Sequence, residues 1–178
     1  EHIGDVAFSR ILDFLKPGVS ELEVAAELEY QMKKAGAEDL GFNTIIASGL
    51  NSSMPHAIPG RKKLEAGDFV TMDFGCKYEG YCSDMTRTVV IGKANDKQKE
   101  IYNVVLEAQL AGLAAVYGGK LAADAAFAAL RERKKAGRHP SLFCTVERMG
   151  IWTEMVRLSW ASCRKNSQYG NFHAYVYL

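Results

Sequence analysis

The chain has 178 residues, 48% of them hydrophobic, enough for one good-sized domain with a buried core. No apolar run approaches the ~20 residues a membrane crossing needs, and the amino terminus lacks the charged-then-apolar form of a secretory signal, so a cytoplasmic protein away from membranes is expected. The net charge of +1 hides a shift: seventeen acidic residues stand against thirteen basic ones up to Lys120, and nine basic against four acidic after it. These later charges are scattered among Trp, Cys and Ser, which argues against a nucleic-acid face.

Residues 3–15 place Ile3, Ala7, Ile11 and Phe14 at helical spacing, and Lys16-Pro17-Gly18 stops that helix. Ser20 caps the next, with Glu23 completing a capping box and Val19 and Val24 forming a hydrophobic staple. This second helix is expected to run to about Ala35 and end at Gly36, with Leu22, Ala25, Leu28 and Met32 inward. From Phe42 the pattern becomes that of strands: "FNTIIASG", then a polar loop containing His56, then "FVTMDFG" and "YCSDMTRTVVIG" joined by "CKYEG". Asn95 opens a third helix with Ile101, Val104, Val105, Ala108 and Ala115 on one stripe, closed by Gly118-Gly119. A fourth, alanine-rich helix covers about Ala122 to Ala136, with Gly137 at its end. The order implies an α+β domain, an antiparallel sheet backed by helices. After Arg138 no period is sustained, although "NFHAYVYL" has the composition of a strand.

Four cysteines, Cys76, Cys82, Cys144 and Cys163, are too few and too uneven for a disulfide framework, and none has zinc-ribbon spacing. Reduced thiols are expected. The chain starts at Glu1 without an initiator Met, so its true start is expected upstream.

The hairpin carries the chemistry. A turn centred on Tyr78-Glu79, with Gly80 in the place type I turns favour, puts Asp73 directly across from Asp84. Facing Cβ atoms lie about 4.5 to 5.5 Å apart, where like charges repel. A divalent cation relieves that repulsion, and hard carboxylate oxygens suit Mn²⁺, Co²⁺, Zn²⁺ or Mg²⁺. The same register puts Cys82 on the aspartate face and Cys76 on the other. Arg87 points away from Asp84 and reads as structural. His56 is the candidate donor of a hydrogen bond to a substrate carbonyl or developing oxyanion.

"GVSELEVAAELEYQMKKAGAEDLGFNTIIASGLNSSMPHAIPG" and "FVTMDFGCKYEGYCSDMTRTVVIG" together resemble the Xaa-Pro aminopeptidase and Xaa-Pro dipeptidase (prolidase) branch of the pita-bread metallopeptidases, the group that includes methionine aminopeptidase and creatinase. The likeness reaches with less force to about Gly137. It implies a pita-bread (creatinase/aminopeptidase) fold around two divalent ions, Mn²⁺ or Co²⁺ and sometimes Zn²⁺. Asp73 and Asp84 match the first two metal ligands, and His56 matches the histidine near the substrate. The implied reaction is hydrolysis of the peptide bond before proline by a metal-activated hydroxide. The implied partner is a peptide with proline in second position, and the resemblance allows a homodimer.

The family's remaining ligands, a histidine and two glutamates, find no match. The best placement sets "RMGIWTE" against the histidine segment, where Gly150, Ile151 and Glu154 agree but Met149 stands at the ligand position. A thioether is a poor ligand for such ions, and neither His139 nor His173 lies in a matching motif. Residues 1–137 are therefore expected to form the catalytic domain's first half and the start of its second, with 138–178 its divergent or damaged remainder. Weak or no activity is expected of the chain as written. The alternative is a non-catalytic pita-bread protein that binds a peptide or protein partner. One hypothesis is that the reading frame is altered after about Gly137; an uninterrupted, well-supported nucleotide frame through Leu178 would overturn it.

Overall fold

Ser20 stands at the start of helix α2 (Glu21–Lys34) with its hydroxyl accepting from the Glu23 amide, while the Glu23 carboxylate accepts from the Ser20 amide. This reciprocal cap satisfies two amide groups that a helix start leaves without partners. It is the capping box expected from the sequence. In the computed structural model, which describes residues 1–54 and 56–115, α2 packs against α1 (His2–Ile11), and both cover one face of a sheet. None of the described helices is long and apolar enough to cross a membrane.

The inward stripe of α2 is Glu21, Val24, Ala25, Leu28 and Met32, the i, i+3, i+4, i+7 spacing of one helix face. Leu22, expected inward, is 48% exposed. At about 100° per residue it lies a quarter-turn off that stripe, and its place at the core is taken by Glu21. Helix α1 ends at Ile11 rather than near Phe14, in a turn closed by the Phe14 and Leu15 amides on the Ile11 carbonyl.

The main sheet has the order β2-β3-β6, all antiparallel: β2 is Ile45–Ser48, β3 Phe69–Phe74 and β6 Met85–Val90. Alternation sends Val70, Met72, Phe74 and Met85 into the core with the two helices. A Cβ added to Gly4 of α1 would lie 2.6 Å from the Met85 Cε, so the helix sits directly on β6. Arg87 shares this face, donates to Asp5 of α1 at 3.1 Å and lies over the Phe8 ring, a structural role as expected. The opposite face carries Thr71, Asp73, Thr86 and Thr88.

The expected single hairpin is divided. Beyond β3 the chain continues into a second sheet of order β1-β4-β5, with β1 Asp39–Leu40, β4 Cys76–Tyr78 and β5 Tyr81–Cys82. Its turn is centred on Glu79-Gly80, one residue later than expected, with φ of 48° and 78°. Two positive φ values mark a type I′ turn, whose twist matches that of the flanking strands; a type I turn would splay them. Helix α3 (Asp96–Ala115) starts at Asn95, whose side chain accepts from the Gln98 amide at 2.8 Å while Gln98 accepts from the Asn95 amide. Val105 and Ala108 of the expected stripe are buried. The Gly118-Gly119 stop, the fourth helix and the terminal strand lie outside the described residues.

The two leucines of α2 test this packing. Leu28→Ala is expected to cost about 2 to 5 kcal/mol and Leu22→Ala under about 0.5 kcal/mol. Urea unfolding of each variant is the measurement, and equal costs would show that the stripe is misassigned.

Candidate metal centre

A shift of the turn by one residue changes every pair. Asp73 lies opposite Thr86, not Asp84, and the expected direct facing of the two aspartates is overturned. The same progression runs from Phe74↔Met85 to Lys77↔Cys82, so Asp84 falls opposite Gly75. Asp73 and Asp84 are thus diagonal neighbours on one face, about 7 to 8 Å apart in regular strands, a separation that side chains can close. The carboxylates remain near enough for Asp73 to act on the titration of Asp84.

Gly75 makes this arrangement possible. A Cβ there would collide with the Ser83 carbonyl oxygen, closer than any side chain permits. Gly41 is tight against the same oxygen and donates its amide to the Gly75 carbonyl at 2.9 Å. The Ser83 hydroxyl accepts from the Cys76 amide at 2.9 Å, and the Ser83 amide donates to the Cys76 carbonyl. Ser83 is therefore pinned from both sides, and Asp84 follows it directly. Cys76 is buried and Cys82 exposed, both as free thiols.

Thr86 escaped the sequence reading. Its hydroxyl donates to the Asp73 Oδ1 at 3.3 Å and limits rotation of that carboxylate. Strand alternation from Asp84 would have found it once the register was right. Asp84 keeps an open solvent face, yet its carboxyl is pushed up to about 6, first by burial, then by the charge of Asp73 and that of Glu1. The surrounding protein is enough to disfavour a charge there, and a like charge adds to the effect.

Two hard carboxylate donors that repel each other on a supported sheet face fit a divalent cation. Among the described residues no group of three or more His, Cys, Asp or Glu side chains that could hold a metal ion gathers. His56 lies exposed in the loop between the 3₁₀ turn Gly49–Ser53 and Gly60, and the structure does not join it to the pair. Met149, Glu154, His139 and His173 lie outside the described residues.

The sequence profile of metallopeptidase family M24 matches residues 1–155. The chain is 51% identical over 123 residues to an uncharacterized peptidase, YqhT, of Bacillus subtilis, covering 69% of this chain and 35% of that one. It is 50% identical over 107 residues to a Xaa-Pro dipeptidase of Pyrococcus horikoshii, covering 60% and 30% respectively. Among solved structures, a Xaa-Pro dipeptidase from Bacillus anthracis superposes with a TM-score of 0.73 at 49% identity, over 76% of this chain and 38% of that one. An X-Pro aminopeptidase from Thermotoga maritima gives 0.75 at 40% identity, over 76% and 39%. The chain thus spans about a third of the length of the curated relatives it matches.

Asp84 has a folded value above the ordinary 3.8, so its protonated form favours folding. That contribution is present below the unfolded value and is lost as pH rises through about 6. In EDTA, Asp84→Asn is therefore expected to gain thermal midpoint relative to wild type between about pH 4 and about pH 7.5. A difference that does not change with pH would remove Asp84 as its source.

Proposed function

The chain belongs to metallopeptidase family M24 and has the pita-bread fold, and we propose that it carries part of the active site of an exopeptidase that hydrolyses the bond before proline. The observation that carries this reading is the aspartate pair, set on one sheet face with the Asp84 carboxyl raised in part by Asp73, in a chain 49% identical to a Xaa-Pro dipeptidase over its matched length. Asp73 and Asp84 would hold two divalent ions, with Mn²⁺ or Co²⁺ preferred and Zn²⁺ a further choice. When bound, such ions supply Lewis acidity to the scissile carbonyl and to the attacking water.

The chain's own residues do the rest. Thr86 holds Asp73 in one orientation, which makes a carboxylate a more selective ligand. Gly75 lets the Ser83 carbonyl approach and thereby sets where Asp84 stands. His56, exposed on its loop, donates a ring N–H to the peptide carbonyl oxygen and stabilises the charge that develops there. The substrate is a peptide with proline in second position.

With two carboxylates as the donors in hand, metal binding is weak and turnover by this chain is slow or absent. Calorimetric titration with Mn²⁺ should show weak binding that Asp73→Ala removes, and proline release from Xaa-Pro dipeptides should stay near background. Strong turnover abolished by Asp73→Ala would place the other ligands within this chain. Loss of all metal binding in the unaltered chain would favour a non-catalytic, partner-binding protein.

A further inference from the structure

We propose that Glu21, a buried carboxylate with no part in the chemistry above, positions His56 by clamping both ends of its loop. Glu21 is 1% exposed. Its Oε1 accepts from the Ser48 amide and hydroxyl, each at 2.8 Å, and from the Asn51 side-chain amide at 3.1 Å. Its Oε2 accepts from the Gly60 amide at 3.1 Å. Ser48 and Asn51 lie where the chain leaves β2 for the loop, and Gly60 lies where it returns, so a single carboxyl group spans the base.

Apolar packing among the loop's described residues is slight. Leu50 and Ile58 are 90% and 86% exposed, and the buried side chains within it, among the described residues, are the small Ser52 and Ala57. The first turn of α2 adds to the grip at one end only: the Glu21 amide donates to the Lys62 carbonyl and the Leu22 amide to the Gly60 carbonyl, both at 3.0 Å. Lys62 extends the clamp by donating to the Ser48 hydroxyl at 3.0 Å and to Asp68 at 2.8 Å. The hydroxyl thus relays between a cation and the buried carboxylate. Hydrogen bonds to a charged group are the stronger kind, and here they cross from helix to both loop ends.

Glu21→Gln is the discriminating change. Its amide oxygen can still accept from Ser48, but its NH₂ would then face the Gly60 N–H, donor against donor. The return end then loses its bond to the carboxylate and keeps only the backbone bonds to the Glu21 and Leu22 amides, while side-chain volume is kept.

The proposal rests on the reading of His56 given above, so its test uses neither metal nor peptide. In the full chain, Glu21→Gln should speed hydrogen exchange of the Gly60 amide and the described loop amides by about tenfold. Amides of the β3–β6 ladder should be unchanged. The ring signals of His56 should shift in NMR spectra, with those of His2 as the internal reference. Unchanged loop exchange, equal acceleration across the ladder, or an unmoved His56 signal would each overturn the assignment. Failure of the peptidase reading alone would leave the exchange result standing.

Discussion

With Glu79 and Gly80 both at positive φ, the hairpin closes in one register only, and that register decides which side chains share the face where a cation could sit. Moving the turn by one residue would keep both aspartates on this face but change which residue each one opposes. The twist of the strands selects the turn, and the turn in turn selects the pairs Asp73↔Thr86 and Phe74↔Met85. Core packing enforces the same choice from the other face: Met85 must lie under Gly4 of α1 for that helix to approach as closely as it does. A register that moved Met85 along the sheet would take it away from its place beneath Gly4.

The diagonal relation of the aspartates has a chemical consequence. Directly opposed carboxylates would crowd each other, whereas the observed offset leaves a hydroxyl facing one and a glycine facing the other. Thr86 gives Asp73 a hydrogen-bond donor. Asp84 gains burial and like charge instead, which favours its protonated form. A raised Asp84 carboxyl lessens the repulsion that two charges on one face would carry. A divalent cation held by the two aspartates would favour the charged form of both and relieve that repulsion.

Much of the local structure was legible in the sequence because it rests on local chemistry. The capping box at Ser20 and Glu23, the start of α3 at Asn95 and the strand identities follow from side chains within a few residues of one another. What failed was longer in range. Glu79 gives little warning that it takes a positive φ, so residue preferences alone centre the turn one residue early and move the facing pairs with it. Leu22 looked like core by hydrophobicity alone, yet the helix turned Glu21 inward because its partners come from 27 to 39 residues away. The aspartates were found through their type and spacing; Thr86 and Gly75 needed the correct register.

Two glutamates two residues apart at the start of α2 show how position divides labour. Glu23 faces solvent and completes the cap. Glu21 turns into the protein, where burying a charge is costly unless donors surround it. Four donor groups, from Ser48, Asn51 and Gly60, meet that cost, and the first turn of a helix further favours a negative charge. Buried hydrophobic contacts could have closed the same gap between helix and loop, but they are indifferent to the direction from which the backbone arrives. A carboxylate is not: it accepts an amide only along its lone pairs, so the strand leaving for the loop and the segment returning at Gly60 must each present an N–H at a fixed point. The loop that carries His56 is therefore specified at its base by directional bonds.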